Sequence, residues 1–344
     1  MKAGWRKYFL HCLMGIVILL SISILPLAQA MGETTAPISP WEYQAMLGRG
    51  MDVDWAKTTR GIRSYTSQTP QIFADAGIQH VRIRVREEAD ETLLAHLEMV
   101  VDDCVRAGLI PIIAYQADAF KKDPTPENQA KVVVWWKTVA ERFRHVPHTL
   151  SFDVLIECTD ALNHHPEQLN ALYEAVVGAI RESNPARIII ISPRMRSDPG
   201  FLRELAIPSA HNGYLMAEWH FYAAGPSKTN EKKRWTSGTA QEKRLIQDKI
   251  DLALAWQAET GIPTWVGAWM PGDYNQGNHY SIDEQCAFAA YMTASLDEAG
   301  IPFAVNADSH FFDREQNAWF PEMQRVMQVI YQGRMQEAED RIQQ

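Results

Sequence analysis

Cysteine is scarce in this sequence, with four cysteines in 344 residues. Cys12, Cys104, Cys158 and Cys286 lie far apart, and none of them forms the C-x2-C spacing of a structural zinc site. The sequence therefore supports neither a disulfide framework nor a zinc centre. We expect the cysteines of the mature chain to be buried free thiols.

Positive charge is also in deficit, because 33 Lys and Arg residues face 42 Asp and Glu residues, for a net charge of −9. Proteins that bind nucleic acids or anionic membranes do so through basic faces. We therefore predict no nucleic-acid partner, and no membrane partner for the mature chain. Neutral polymers and small solutes remain as ligands.

Linkers and repeats are missing as well. No stretch rich in Ser, Gly or Pro divides residues 45–335, and no internal repeat stands out. No Gly-rich dinucleotide fingerprint follows the first predicted strand, which argues against a doubly wound nucleotide-binding sheet. These absences favour one large domain over residues 45–335, without a cofactor.

The N-terminus has the order of a secretory signal peptide. Lys2, Arg6 and Lys7 precede an apolar run over residues 8–25, and a small-x-small cleavage site follows at residues 28–30. We predict that residues 1–30 are removed on export, leaving 30 basic and 42 acidic residues, a net charge near −12. An uncleaved membrane anchor is the alternative, because the run nearly reaches the length at which spanning begins, about 18 residues. Residues 31–44 form an N-terminal segment, and residues 336–344 form a polar C-terminal tail.

The rest of the chain alternates short runs rich in Val, Ile and aromatics with longer amphipathic helical patterns. Alternating strands and helices predict parallel strands with right-handed crossovers, and eight units favour a closed (β/α)8 barrel over an open doubly wound sheet. The predicted strands are residues 49–53, 80–85, 110–115, 150–157, 187–192, 214–222, 264–269 and 302–306.

Functional groups of such a barrel cluster at the carboxyl ends of the strands. The polar and aromatic residues at or near those ends are Asp52, Asp54, Trp55, Arg82, Arg84, Glu157, Glu218, His220, Tyr222, Trp269, Asn306 and Asp308. Glu157 ends the fourth strand. An unpaired carboxylate there costs stability, so its presence indicates a functional role. For Glu218, two residues before His220, we expect an ion pair with Arg82 or Arg84.

In order and spacing these segments resemble glycoside hydrolase family 5, the cellulases and mannanases among the retaining (β/α)8 glycosidases. The resemblance covers residues 45–335, and each motif is short. Its motifs are Val81-Arg82-Ile83 in strand 2, Leu155-Ile156-Glu157-Cys158 at the end of strand 4, residues 184–189 before strand 5, His220-Phe221-Tyr222 in strand 6, and Trp265-Val266-Gly267-Ala268-Trp269 in strand 7.

The sequence departs from the family pattern at three places. Ile156 stands where the family has an asparagine before its acid/base glutamate, and residues 306–308 replace a tryptophan that often ends strand 8. Ala268 stands where the nucleophilic glutamate belongs. A retaining mechanism needs a second carboxylate about 5 Å from the first.

The resemblance implies a β-glycan ligand and assigns roles to several side chains. Glu157 would be the general acid/base, with a pKa raised by its pocket, and His220 and Tyr222 would belong to the catalytic group. Arg82, Trp55, Trp269 and Asp308 would bind substrate, the two tryptophans as stacking platforms. A replacement for the missing nucleophile would come from Asp308, Asp52 or Asp273.

Two other functions remain open on the sequence. A glycan-binding pseudoenzyme would keep the cleft and lose the chemistry. A metal-dependent barrel hydrolase would hold a divalent ion among Asp52, Asp54, His220 and Asp308, although hard-cation sites usually gather more carboxylates than this pattern offers.

Overall fold

The computed structural model describes residues 36–222, 235–272 and 280–332. Eight parallel strands form a closed barrel in sequence order, because β1 pairs with β2 on one side and with β8 on the other. This confirms the predicted (β/α)8 barrel. The barrel strands are β1 (Arg49–Ala56), β2 (His80–Val85), β3 (Ile110–Tyr115), β4 (Ser151–Asp153), β5 (Ile189–Ile191), β6 (Leu215–Tyr222), β7 (Thr264–Met270) and β8 (Phe303–Val305).

Helices surround the barrel, and several begin and end where the sequence places caps. Ser39, Thr239 and Ser281 form capping boxes at helix starts, while Gly261 and Gly300 end two helices in left-handed backbone. The helices are α1 (Pro40–Leu47), α2 (Thr59–Ser64), α3 (Thr69–Asp75), α4 (Glu91–Arg106), α5 (Asp118–Lys122), α6 (Pro126–Arg142), α7 (Pro166–Arg181), the short α8 (Arg194–Ser197), α9 (Ala240–Thr260), α10 (Ile282–Ala299) and α11 (Gln324–Gln332).

Strands β4 and β5 are shorter than the predicted strands at residues 150–157 and 187–192. Beyond Asp153 the chain still makes single backbone bonds, from Val154 N to Ile190 O and from Ile156 N to Tyr115 O. Glu157 then adopts a positive φ of 54°, which turns the chain out of the strand direction. The carboxylate is therefore held at the start of a loop.

Two apolar layers leave a polar zone at one end of the barrel. Every second residue of a strand, such as Met51 and Val53 of β1, packs outward against the helices. Inward residues such as Ile112 and Ile190 close the amino end together with Tyr43 and Leu47 of α1. The segment predicted as residues 31–44 thus contributes to the barrel from Pro40 onward, and the inward side chains of the carboxyl end are left for function.

A short antiparallel pair, β9 (Phe312–Asp313) and β10 (Ala318–Trp319), follows β8. Within the three described ranges, no helix is long and apolar enough to span a membrane. The predicted signal peptide, the polar tail and Asp273 lie outside the described residues. Cys104, Cys158 and Cys286 are free thiols, as expected, although Cys286 is only partly buried.

Candidate active site

A buried guanidinium forms the base of the site. Arg82 on β2 donates from Nε and Nη2 to both oxygens of Asp52 at 2.7 Å, and from Nη1 to Glu218 Oε2 at 2.6 Å and Asp153 Oδ2 at 3.1 Å. All four side chains are at most 1% exposed. Burial and the charge of Glu218 raise the pKa of Asp153.

This cluster confirms the expected ion pair of Glu218 and corrects the role predicted for Arg82. Nε and both Nη atoms of the guanidinium donate to buried carboxylates, and the side chain is 1% exposed, so Arg82 does not contact a ligand in the cleft. It is an internal counter-ion. A buried charge without such partners would cost several kcal/mol.

Above this cluster, His220 lies between two carboxylates. Its Nε2 is 3.2 Å from Glu218 Oε2, and its Nδ1 is 3.1 Å from Glu157 Oε1. Burial alone would lower the pKa of His220, but the charge of Glu218 and the hydrogen bonds to both carboxylates outweigh it and raise the pKa to about 9. His220 is therefore an imidazolium at neutral pH that donates to both neighbours.

The same contacts act on Glu157 in the opposite direction. Its burial would raise its pKa, but the hydrogen bond and charge of His220, together with the charges of Arg196 and Lys121, lower it to about 2. The predicted upward shift of this pKa is therefore wrong. Glu157, at 22% exposure, is an ionised carboxylate that faces the cleft.

Position 268 shares this face of the barrel. Ala268 is the Cα partner of His220, and Trp269 is that of Phe221. Because directly paired residues of parallel strands lie on the same face, Ala268 lies on the inward face with His220. The methyl group thus stands beside the imidazolium that binds Glu157, where a second carboxylate would raise the pKa of Glu157.

Gly267 is the extra residue that produces this register. The pairing shifts between Trp219/Val266 and His220/Ala268, so one residue of β7 has no counterpart on β6. A Cβ built on Gly267 would lie 1.9 Å from Glu218 Oε2. Only glycine allows Glu218 to reach both Arg82 and His220.

A second polar group lies beside the first. Arg84 donates to Asp54 Oδ1 and to Asn306 Oδ1, each at 2.7 Å, and Asn306 Nδ2 donates to the Tyr222 hydroxyl at 2.9 Å. The Tyr222 ring is edge-on to His220, with centroids 6.4 Å apart. Tyr222 therefore belongs to the site, oriented by Asn306, which the sequence predicts at the end of β8 without a role in binding or catalysis.

Asp308, predicted to bind substrate, is instead fully buried. It accepts from Arg314 Nε at 2.8 Å and from the backbone N–H of Asp54 at 3.3 Å. Asp52 is equally buried, with both oxygens bonded to Arg82. Neither carboxylate can reach a sugar or a water in the cleft, so neither replaces the nucleophile.

The two predicted stacking platforms are also wrong. Trp55 is 1% exposed and packs edge-on against Phe73 with centroids 5.0 Å apart. Trp269 is 0% exposed and packs edge-on against Phe303 at 5.5 Å. Both rings lie in the outer layer between barrel and helices, where no ligand can stack on them.

Two cations next to Glu157 were not found from the sequence. Lys121 on α5 donates from Nζ to Ile156 O at 3.0 Å, and Arg196 Nη1 lies 3.6 Å from Glu157 Oε2. No spacing pattern in the sequence distinguishes either residue from the other lysines and arginines of the chain. Their positions depend on how two separate loops fold over the end of β4.

A metal has no evident place among these groups. Of the four ligands of the alternative metal site, Asp52 and Asp54 bind the guanidinium groups of Arg82 and Arg84, Asp308 binds Arg314, and His220 contacts Glu157 and Glu218. Across residues 36–222, 235–272 and 280–332, no three His, Cys, Asp or Glu side chains are arranged to hold a metal ion.

The sequence matches a protein-family model and is similar to an endoglucanase. The family model described as Cellulase (glycosyl hydrolase family 5) matches residues 41–307. Endoglucanase H of Acetivibrio thermocellus is 23% identical over 304 residues, which are 83% of this chain but only 33% of that protein, so the chain spans a third of its relative.

Solved structures share the fold. Thermotoga maritima Cel5A in complex with cellobiose superimposes with a TM-score of 0.74 at 19% identity, covering 85% of this chain and 99% of that one. The same enzyme in complex with mannotriose gives a TM-score of 0.72 at 19% identity, with the same coverage. At this level of identity the likeness shows the barrel fold alone.

Proposed function

The chain belongs to glycosyl hydrolase family 5, and from that membership we propose that it acts on a β-linked glycan in the cleft formed by Glu157, His220 and Tyr222. The observation that carries the proposal is the contact between Glu157 at the end of β4 and His220 on β6, directly beside position 268. The contact holds an ionised carboxylate at the carboxyl end of the barrel, where the functional groups of this fold cluster.

The ligand we propose is a β-linked gluco- or manno-oligosaccharide. Support comes from the related barrels solved with cellobiose and mannotriose, and from the net negative charge of the chain, which disfavours polyanionic ligands. Tyr222, whose ring is edge-on to His220, supplies a hydroxyl, the kind of group that binds sugar hydroxyls.

Hydrolysis at this site is impaired by two features. Ala268 cannot attack an anomeric carbon, so the covalent glycosyl-enzyme of the retaining route does not form. Glu157 is ionised above pH 2 or so and therefore holds no proton for a leaving group at neutral pH. We propose slow hydrolysis at most, with Glu157 as the carboxylate on which it depends.

The same two features favour a second candidate function, which is glycan binding without turnover. An ionised Glu157 is a good acceptor for sugar hydroxyls, since charge-assisted hydrogen bonds are stronger than neutral ones. Such a protein would use the family-5 cleft only for recognition.

Calorimetric binding and an NMR time course of product anomers, both with cello- and manno-oligosaccharides, separate the two functions. Hydrolysis lost in Glu157→Gln supports the enzyme, whereas binding without products supports recognition alone. Failure of the purified protein to bind either series would refute both.

We also propose export, on the order of basic, apolar and small residues in positions 1–30. Mass spectrometry of extracellular or periplasmic material should find a chain that begins at Met31. An intact N-terminus in the membrane fraction would instead support the anchor.

A further inference from the structure

The short element α8, which follows β5, has an unusual backbone. Met195, Arg196 and Ser197 have φ values of 57°, 59° and 61°, and none of them is glycine. Left-handed backbone is unfavourable for an L-residue, and runs of it are rare. Such strain persists only where neighbouring contacts enforce it, and it is concentrated at functional sites.

Contacts from the loop after β4 enforce this turn. Met195 N donates to Asn163 Oδ1 at 2.8 Å, and Arg196 N donates to Cys158 O at 2.9 Å. Arg194 is tied to Glu204, with Nη2 at 2.9 Å from Oε1. Because that loop begins with Glu157, the turn and the site carboxylate are joined through one segment.

The turn presents the side chain of Arg196 to the site, with hydrogen-bond donors that are unused within the described residues. Arg196 is 34% exposed, and its Nη1 is 3.6 Å from Glu157 Oε2, which is beyond hydrogen-bonding distance. Within the described residues the Arg196 guanidinium donates no hydrogen bond, whereas the Arg82 guanidinium makes four to carboxylates. Five donors are therefore available next to the Glu157 oxygen that does not contact His220.

We propose that Arg196 is a specificity-determining residue, whose guanidinium donates hydrogen bonds to glycan hydroxyls beside Glu157 and is held there by the left-handed turn. The inference rests on the proposed function, because it takes the ligand to be a β-glycan. The planar donor fork suits two neighbouring hydroxyls of one sugar ring, and the strained turn restricts where the fork can lie.

Binding of cellotetraose, measured by calorimetry, tests the donor role. Hydrogen bonds to a charged group are worth about 1.5–3 kcal/mol, so Arg196→Ala should weaken the affinity roughly 10- to 100-fold. Arg196→Gln, which preserves most of the size, should recover only part of it. Met195→Ala changes an exposed neighbour in the same turn and should bind like the unmodified protein.

A double-mutant cycle tests the positioning role of the turn. Asn163→Ala removes the bond to Met195 N and should weaken binding less than Arg196→Ala does. In combination with Arg196→Ala it should add nothing, because the bond acts only through Arg196. Additive losses would contradict a positioning role.

The placement of Arg196 beside Glu157 is tested without ligand. Arg196→Ala should raise the pKa of Glu157, measured by 13C NMR of the carboxyl carbon in the free protein, and an unchanged pKa would contradict that placement.

Glycan binding separates this inference from the proposed function. If the unmodified protein binds cellotetraose and Arg196→Ala binds it equally well, the inference is overturned and the proposed function stands. If the unmodified protein binds no glycan, both are overturned.

Discussion

Replacing Ala268 by glutamate should restore both missing parts of the retaining mechanism at once. The new carboxylate would project from the residue paired with His220, on the face that holds Glu157. It would supply a nucleophile for the anomeric carbon. It would also place a second negative charge beside Glu157, whose carboxylate is now stabilised by the charges of His220, Arg196 and Lys121.

The size of the second effect follows from Coulomb's law. Two unit charges about 5 Å apart interact by about 3 kcal/mol at an effective dielectric constant of 20, which corresponds to about two pKa units. The pKa of Glu157 should therefore rise from about 2 into the range of an ordinary glutamic acid. A larger fraction of Glu157 would then carry the proton that a leaving group needs.

The assay is an NMR time course of the anomeric products from a cello-oligosaccharide, for Ala268→Glu, Ala268→Gln and the unmodified protein. We expect hydrolysis with retained configuration only in Ala268→Glu. Ala268→Gln fills the same space without charge and should change neither turnover nor the pKa of Glu157. The recovery can be small, because a misplacement of about 1 Å costs on the order of 100-fold. Equal turnover in Ala268→Glu and Ala268→Gln, with the pKa of Glu157 unmoved in both, would refute this reasoning.

Three further predictions concern the buried charges beneath the cleft. His220 has its pKa raised to about 9, so it stabilises the fold fully below its unfolded pKa of about 6.5 and loses that contribution, about 3 kcal/mol, as pH rises through 9. Urea unfolding should show this loss between pH 6.5 and 9, and the loss should be absent in His220→Gln. Gly267→Ala forces a methyl group against Glu218 and should lower the thermal midpoint by several degrees, at a cost of about 1–3 kcal/mol. Gly178→Ala, where no atom lies within 4 Å of the new Cβ in α7, should leave the midpoint unchanged or raised. Arg82→Met strands buried carboxylates and should cost about 3–5 kcal/mol in urea unfolding. Arg60→Met, which removes an exposed ion pair, should cost less than about 1 kcal/mol, and equal losses would contradict the ion network as described.

Much of the barrel could be predicted from the sequence, because each strand has an apolar face that repeats every second residue. The same rule also predicts that Trp55 is buried. Counted by twos along β1, Trp55 lies on the same face as Met51 and Val53, which pack outward. Asp52 and Asp54 lie on the opposite face. Placing Trp55 in the cleft followed from its position at the strand end and disregarded its phase.

Trp269 shows what the alternation rule cannot predict. Counted by twos from the inward Trp265, Trp269 would point into the barrel. The extra residue at Gly267 reverses the phase, so Trp269 packs outward and Ala268 takes the inward position. A bulge is set by pairing with the neighbouring strand, and nothing local to the β7 sequence marks it beyond a glycine.

The backbone turn that positions Arg196 could not be predicted from the sequence either. A left-handed turn is expected at glycine or asparagine, and the sequence Arg194-Met195-Arg196-Ser197 contains neither. The turn exists because Asn163 and the Cys158 carbonyl bind its backbone from another loop. Contacts between two loops far apart in sequence leave no periodic trace.

The buried charges beneath the cleft also bear on how the missing nucleophile is to be interpreted. Arg82 pairs with Asp52 and with Glu218 at the barrel centre, and removing one partner would leave an unpaired charge in the interior. Such a cluster is required for stability whether or not the protein turns over substrate, so its presence says nothing about activity.

The residues that indicate activity are those whose replacement costs little stability. Ala268 lies beside a charged imidazolium, and a carboxylate there would gain attraction from His220 while facing repulsion from Glu157. Because an alanine removes that repulsion and leaves Glu157 ionised between His220, Arg196 and Lys121, the cleft favours a stable binding carboxylate over a proton donor. Under the proposed function, hydrolysis therefore has to overcome both the alanine at position 268 and the ionised state of Glu157.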